Sequence, residues 1–169
     1  MKRIISLISL LCTLLVSSGF AQLTFMENSV AAGVDDGGTG QGIAFADYNN
    51  DGFEDIYVVN HSGQLAVLYL NNGDGTFTET AVSAGVSVTA GGEGAVWFEH
   101  DKNGNIDLYI ANKGGTNALM HNNGDGTFTD VTAASGTAST LPGYGCAIGD
   151  LDNDGDIDLY LVNDNGVNA

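Results

Sequence analysis

Gly42-Ile-Ala-Phe-Ala-Asp-Tyr-Asn-Asn-Asp-Gly-Phe-Glu-Asp-Ile-Tyr-Val-Val-Asn60 returns twice along the chain, as GAVWFEHDKNGNIDLYIAN over 94–112 and GCAIGDLDNDGDIDLYLVN over 145–163. At the centre of each copy lies a nine-residue loop, at 47–55, 99–107 and 150–158. Every loop carries oxygen-bearing side chains at positions 1, 3, 5 and 9 and a glycine at position 6. Alternate oxygen donors converge on one point, and a glycine permits the sharp turn between them, which is how a chain wraps a hard divalent cation. The candidate ligands are Asp47, Asn49, Asp51 and Asp55 in the first loop. In the second they are Glu99, Asp101, Asn103 and Asp107, and in the third Asp150, Asp152, Asp154 and Asp158. Calcium suits such a flexible carboxylate cage better than magnesium, which demands tighter geometry. One loop would be weak evidence, whereas three at a common spacing imply about three calcium ions.

The loops sit inside a longer repeat, and repeats decide architecture first. Counted from Phe25, Phe77 and Phe128, the copies span 25–76, 77–127 and 128–169. Each has a Gly-rich approach to the loop and an apolar segment after it. The first two continue into LYLNNGDGTF (68–77) and LMHNNGDGTF (119–128), and the third ends before this element. The apolar segments are short, rich in β-branched and aromatic residues, and bounded by Gly, Asn and Asp, the pattern of strands. NNGDG between two such runs reads as a tight hairpin turn. Sustained helical periodicity is absent from the sequence. About four strands per repeat of this length predict an all-β fold of four-stranded antiparallel propeller blades, an incomplete propeller of about three blades.

Residues 1–21 read as a signal peptide: Lys2 and Arg3, an apolar run over 4–16, then small residues up to a cleavage point after Ala21. The run is shorter than the roughly 20 residues needed to span a bilayer. The expectation is a secreted or periplasmic chain whose folded part is 22–169, with no membrane span. Removing the leader leaves only Lys102 and Lys113 against 21 acidic residues. Such a surface repels a nucleic-acid backbone, so nucleic acid is excluded as a partner. About half of those acids fall in the three loops, where like charges need a cation between them. Cys146 alone remains after processing, so no internal disulfide forms.

The Gly-x-Ala approach, the DxNxDGxxD loop and NNGDGTF together resemble the FG-GAP/VCBS repeats of integrin-α-like β-propellers, over essentially all of 25–169. The resemblance implies that each calcium loop is the hairpin between the first two strands of a blade. It also implies backbone carbonyl ligands at loop position 7, from Phe53, Asn105 and Asp156. The second loop departs from the pattern by opening with Glu99 and by carrying Lys102. An EF-hand is excluded, because position 12 would have to be a bidentate Glu between helices. Here it is Val58, Ile110 or Leu161, each within an apolar strand.

Other polar residues have plainer readings. Asp74 and Asp125 serve the hairpin turns, and Glu54 and the Asp156 side chain face solvent. His61, His100 and His121 do not align with one another, and His100, between two ligands, is expected to point outward. Trp97 aligns with Phe45 and Ile148 and reads as core, as do Tyr57, Tyr109 and Tyr160. Three functions fit: a calcium-stabilised module binding a protein or glycan, as in adhesion; the propeller portion of a carbohydrate-active or other hydrolytic enzyme; or a spacer in a longer exported protein. The structural character of every motif favours the first and a non-enzymatic role. The remainder of a longer propeller is expected beyond this chain.

Overall fold

The computed structural model describes residues 26–61, 63–88 and 91–163. The expected leader 1–21, Phe25, and residues 164–169 of the third repeat lie outside them. Strands β1 (Gly40–Ala46), β2 (Asp55–Asn60), β3 (Val67–Asn71) and β4 (Phe77–Glu79) form one antiparallel sheet in chain order. Strands β5 (Gly92–Phe98), β6 (Asp107–Asn112), β7 (Ala118–Asn122) and β8 (Phe128–Asp130) form a second sheet of identical topology. Strands β9 (Gly143–Gly149) and β10 (Asp158–Asn163) pair antiparallel as the start of a third. The chain is therefore all-β, a run of propeller blades that stops short of a closed ring among the described residues. In each sheet the loop joins the first two strands across the pairs Ala46↔Asp55, Phe98↔Asp107 and Gly149↔Asp158. Strands, not helices, flank all three loops.

Between blades the chain makes single helical turns, α1 (Ser29–Ala32), α2 (Ala81–Ala84) and α3 (Thr132–Ser135). Four residues are too few to show a helical period, so these turns were invisible to pattern reading. Their stop signals were visible: Gly33, Gly85 and Gly136 follow them at φ 79°, 81° and 77°, a conformation that glycine adopts without a Cβ penalty. No helix among the described residues is long and apolar enough to cross a membrane.

The blades stack face to face, with β1 and β2 against β5, and β5 and β6 against β9. This explains a difference between strands of almost equal sequence. In β6, Asp-Leu-Tyr-Ile-Ala-Asn, every residue is buried. Leu108 and Ile110 face the first blade, while Tyr109 and Ala111 face the third. In β2, Tyr57 and Val59 are buried against the second blade, but Ile56 and Val58 on the other face are only half-buried. Tyr160 and Val162 of β10 are exposed, because no further blade covers their face among the described residues. Trp97 fills the seam between the first two blades. It stacks on Tyr48 with ring centroids 6.1 Å apart, meets Tyr57 edge-on at 6.2 Å, and tilts against Phe128 at 6.0 Å.

The Gly-rich approach strands are explained by how closely blades meet at their inner edges. A Cβ on Gly42 would lie 2.7 Å from the Glu93 carbonyl oxygen and 2.9 Å from the Gly94 Cα. One on Gly94 would lie 3.3 Å from the Gly145 Cα, whereas one on Gly145 would meet nothing within 4 Å. Gly42→Ala is therefore expected to force the first two blades apart and destabilise by about 1–3 kcal/mol. Gly145→Ala, at the equivalent repeat position, is expected to stay within about 0.5 kcal/mol of the parent. Urea unfolding of the two variants checks this, and equal midpoints would contradict it.

Candidate metal centres

Each loop is shaped by its own side chains. Position 6 is left-handed as expected, with Gly52, Gly104 and Gly155 at φ 90°, 90° and 91°. Position 4 is left-handed too: Asn50, Lys102 and Asn153 lie at φ 59°, 61° and 62°. Asn tolerates that region, whereas Lys is rarely found there, so the second loop carries a local strain that its neighbours avoid.

The position-1 carboxylate gathers the turn. Asp47 Oδ1 accepts from the Asp51 N–H at 2.9 Å and Oδ2 from the Gly52 N–H at 2.7 Å. Asp150 does the same with Asp154 and Gly155, both at 3.1 Å. The longer Glu99 accepts from Gly104 at 2.6 Å. At position 3, Asn49, Asp101 and Asp152 accept from the N–H two residues on, at 3.1, 3.2 and 3.1 Å. At position 5, Asp51, Asn103 and Asp154 accept from Phe53, Asn105 and Asp156 at 2.9, 2.7 and 2.8 Å. Those last three are the residues whose carbonyls the resemblance implies as ligands, and they are thereby held beside the donors at position 5.

Position 9 anchors the loop to the blade. Asp55 and Asp107 are fully buried. Their Oδ2 atoms accept from the position-2 N–H of Tyr48 and His100, at 3.3 and 3.0 Å; Asp158 makes the equivalent bond to Leu151 at 2.8 Å. Their Oδ1 atoms accept from the Asn71 and Asn122 N–H groups on the third strand, at 2.8 and 2.7 Å. Those asparagines reach back to the loop, donating Nδ2 to the carbonyls of Glu54 and Ile106, both at 3.0 Å. Through Oδ1 they also accept from Gly73 and Gly124 at 3.0 and 2.9 Å. The NNGDG turn and the metal loop are thus one hydrogen-bonded unit. Sequence reading missed Asn71 and Asn122 as site residues; the signal was the strict recurrence of the first Asn of NNGDG.

The donor chemistry fits calcium. Burial pushes the Asp55 carboxyl above its ordinary range, the Asn71 and Tyr48 amides oppose this, and the charges of Asp51 and Asp47 push it further up. A cation among these carboxylates acts in the opposite sense, favouring the ionised form. In the third loop Asp150, Asp152 and Asp158 offer oxygens within 4.8 Å of one another; Asp154 stands outside that trio, bonded to the turn. In the first loop Asn49 Nδ2 donates to Asp51 Oδ2 at 2.8 Å. In the second, Asn103 Nδ2 donates to Asp101 Oδ2 at 3.3 Å, and Asp101 and Asp107 converge with His100 and His121.

That last grouping corrects the outward placement expected for His100. Its Nδ1 lies 2.6 Å from Asp107 Oδ2, and its ring meets His121 edge-on, with centroids 5.5 Å apart. Asp74 and Asp125 do serve their turns: each accepts from the N–H and hydroxyl of Thr76 or Thr127, which holds the carboxyl below its ordinary range. Glu54 is exposed as expected. Asp156 is exposed but pairs with Lys102, so the second and third loops open on the same side of the molecule. Burial pushes the Cys146 thiol up to about 11, so it stays protonated at neutral pH and is inert.

The FG-GAP-like repeat family matches residues 47–110 and again 100–161, each match running from one metal loop through the strand after the next. The chain belongs to the FG-GAP-like repeat family. It is 32% identical over 152 residues to cartilage acidic protein 1 of Homo sapiens, covering 83% of this chain and 23% of that protein. Against the Mus musculus protein of the same name it is 31% identical over 150 residues, covering 82% and 23%. For Xenopus tropicalis the figures are 27% over 152 residues, 83% and 24%. The chain thus spans about a quarter of the length of these relatives. In FG-GAP terms, β1–β4 is one blade. The repeat period counted from Phe77 opens on β4, the strand that closes the preceding sheet.

Proposed function

We propose that this FG-GAP-like segment is a calcium-stabilised binding module of an exported protein. Calcium ions sit in the loops at 47–55, 99–107 and 150–158, and the blades present a protein or glycan partner with a rigid surface. One observation carries the reading. The first and third loops repeat the same scaffold, in which a position-1 Asp gathers two turn amides and a position-9 Asp takes the position-2 amide. Side-chain oxygens are thereby aimed inward before any ion arrives. The leader-like residues 1–21 and the acid-rich composition support export into a calcium-rich medium. A hydrolytic role is not adopted, since the gathered carboxylates already have work as cation ligands and strand anchors.

Removing calcium should leave those carboxylates repelling one another. Each site that binds only the folded chain adds about 2.7 kcal/mol when free calcium is a hundredfold above Kd. Thermal melts are therefore expected to move clearly upward from chelator to calcium, and superimposed melts would overturn the proposal. The third loop, with four side-chain carboxylates, is expected to bind most tightly. The second, with Lys102 inside it, is expected to bind calcium least tightly. Calorimetry on Asp154→Asn and Asp101→Asn checks the order; a greater loss of calcium affinity for Asp101→Asn would reverse it.

A further inference from the structure

We infer that the second loop carries a site for a first-row transition-metal dication of the zinc class, built from His100, Asp101, Asp107 and His121. These four residues offer donor atoms within 4.8 Å of one another. The other blades have nothing comparable at the two histidine positions. Loop position 2 is Tyr48 in the first and Leu151 in the third, and the strand position of His121 is Leu70 in the first. Two positions far apart in sequence have thus both become imidazoles in one repeat, and the fold brings their rings together.

The geometry around His121 suits a metal ligand. Its Nδ1 is shut off from solvent yet makes no hydrogen bond. Its near neighbours are Asp107 Oδ1 at 3.3 Å and Asp101 Oδ2 at 3.4 Å. Those contacts are not hydrogen bonds, but the separations are telling. Zinc bonds of about 2.0–2.1 Å at tetrahedral angles place neighbouring donors about 3.3–3.4 Å apart. The imidazole nitrogen therefore stands from each of two carboxylate oxygens at the length of a zinc-tetrahedron edge. His100 supplies the fourth donor, giving up its present Nδ1 contact with Asp107 Oδ2 as the metal displaces a proton.

The surroundings support binding. Asp107 is fully buried and fixed by the N–H groups of His100 and Asn122, the kind of outer partner that orients a metal ligand. Calcium prefers six to eight oxygens, whereas two imidazoles with two carboxylates suit zinc and its neighbours in the first row. The site shares Asp101 and Asp107 with the calcium set proposed for this loop, so zinc and calcium compete there, whereas calcium in the first and third loops is independent of it.

The test is zinc titration of the full chain by calorimetry in calcium-free buffer, repeated with calcium as competitor, with cobalt(II) absorption as a probe of coordination. One zinc per chain and an intense four-coordinate cobalt spectrum are expected. His121→Leu restores the residue of the first blade. It should weaken zinc by at least the roughly tenfold that loss of even an outer-sphere partner costs, and His100→Tyr should do the same. The calcium-induced shift in melting should survive both changes, which separates this site from the proposed calcium function. In the unsubstituted chain the ring resonances of His100 and His121 should move on adding zinc while those of His61 stay. Failure to take up zinc in calcium-free buffer, zinc uptake indifferent to both substitutions, or equal movement of all three histidines would overturn the assignment.

Discussion

Trp97→Ala is expected to be among the most damaging single changes, destabilising the chain by about 3–5 kcal/mol. The indole is 8% exposed and lies in the seam between the first two blades, against Tyr48, Tyr57 and Phe128. Alanine would leave a cavity bordered by rigid strands on both sides, and stacked sheets cannot close over it without losing register. The control lies in the chain itself. Phe45 occupies the same repeat position in the first blade but is 58% exposed, so Phe45→Ala should fall within about 0.5 kcal/mol of the parent. Urea unfolding at constant calcium measures both. Equal losses would mean that the blades do not meet through this seam.

Asp55→Ala should act on stability and on metal binding together. The buried carboxylate takes the N–H groups of Tyr48 and Asn71. Its removal strands two donors, each at about 1–3 kcal/mol. It also deletes a proposed ligand of the first calcium site. Asp55→Asn, which keeps one acceptor oxygen, should lose less stability while still weakening calcium. Unfolding in chelator isolates the scaffold effect, and calorimetry isolates the ion. Full stability of Asp55→Ala in chelator would show that the anchor to the third strand contributes nothing.

The features legible in the sequence were those written in spacing. Strands, blade order and the loop hairpins follow from a repeated pattern of apolar runs and turn residues. So did the glycine at loop position 6, where a left-handed turn leaves little choice. What escaped has physical reasons as well. The one-turn helices are shorter than any periodicity. The anchoring role of Asn71 and Asn122 was hidden because their turn explained them already. The inward turn of His100 depends on Asp107 and on His121, which lies on the next strand but one, and such a meeting is set by packing rather than by local pattern. The even burial of β6 beside the uneven burial of β2 was equally out of reach, since it depends on which faces have neighbours.

Tyr48 belongs to the first metal loop, yet its ring lies in the core shared with the second blade, and its carbonyl takes a 2.8 Å hydrogen bond from Asn122 Nδ2. Asn122 in turn holds Asp107, the anchor of the second loop. The first proposed ion site is thereby joined to the second, from loop to neighbouring hairpin to the next loop. The linkage runs forward, because the first loop grips the blade that follows it. Ions filling both loops would be coupled through it, and titration of this pair is expected to be steeper than that of independent sites.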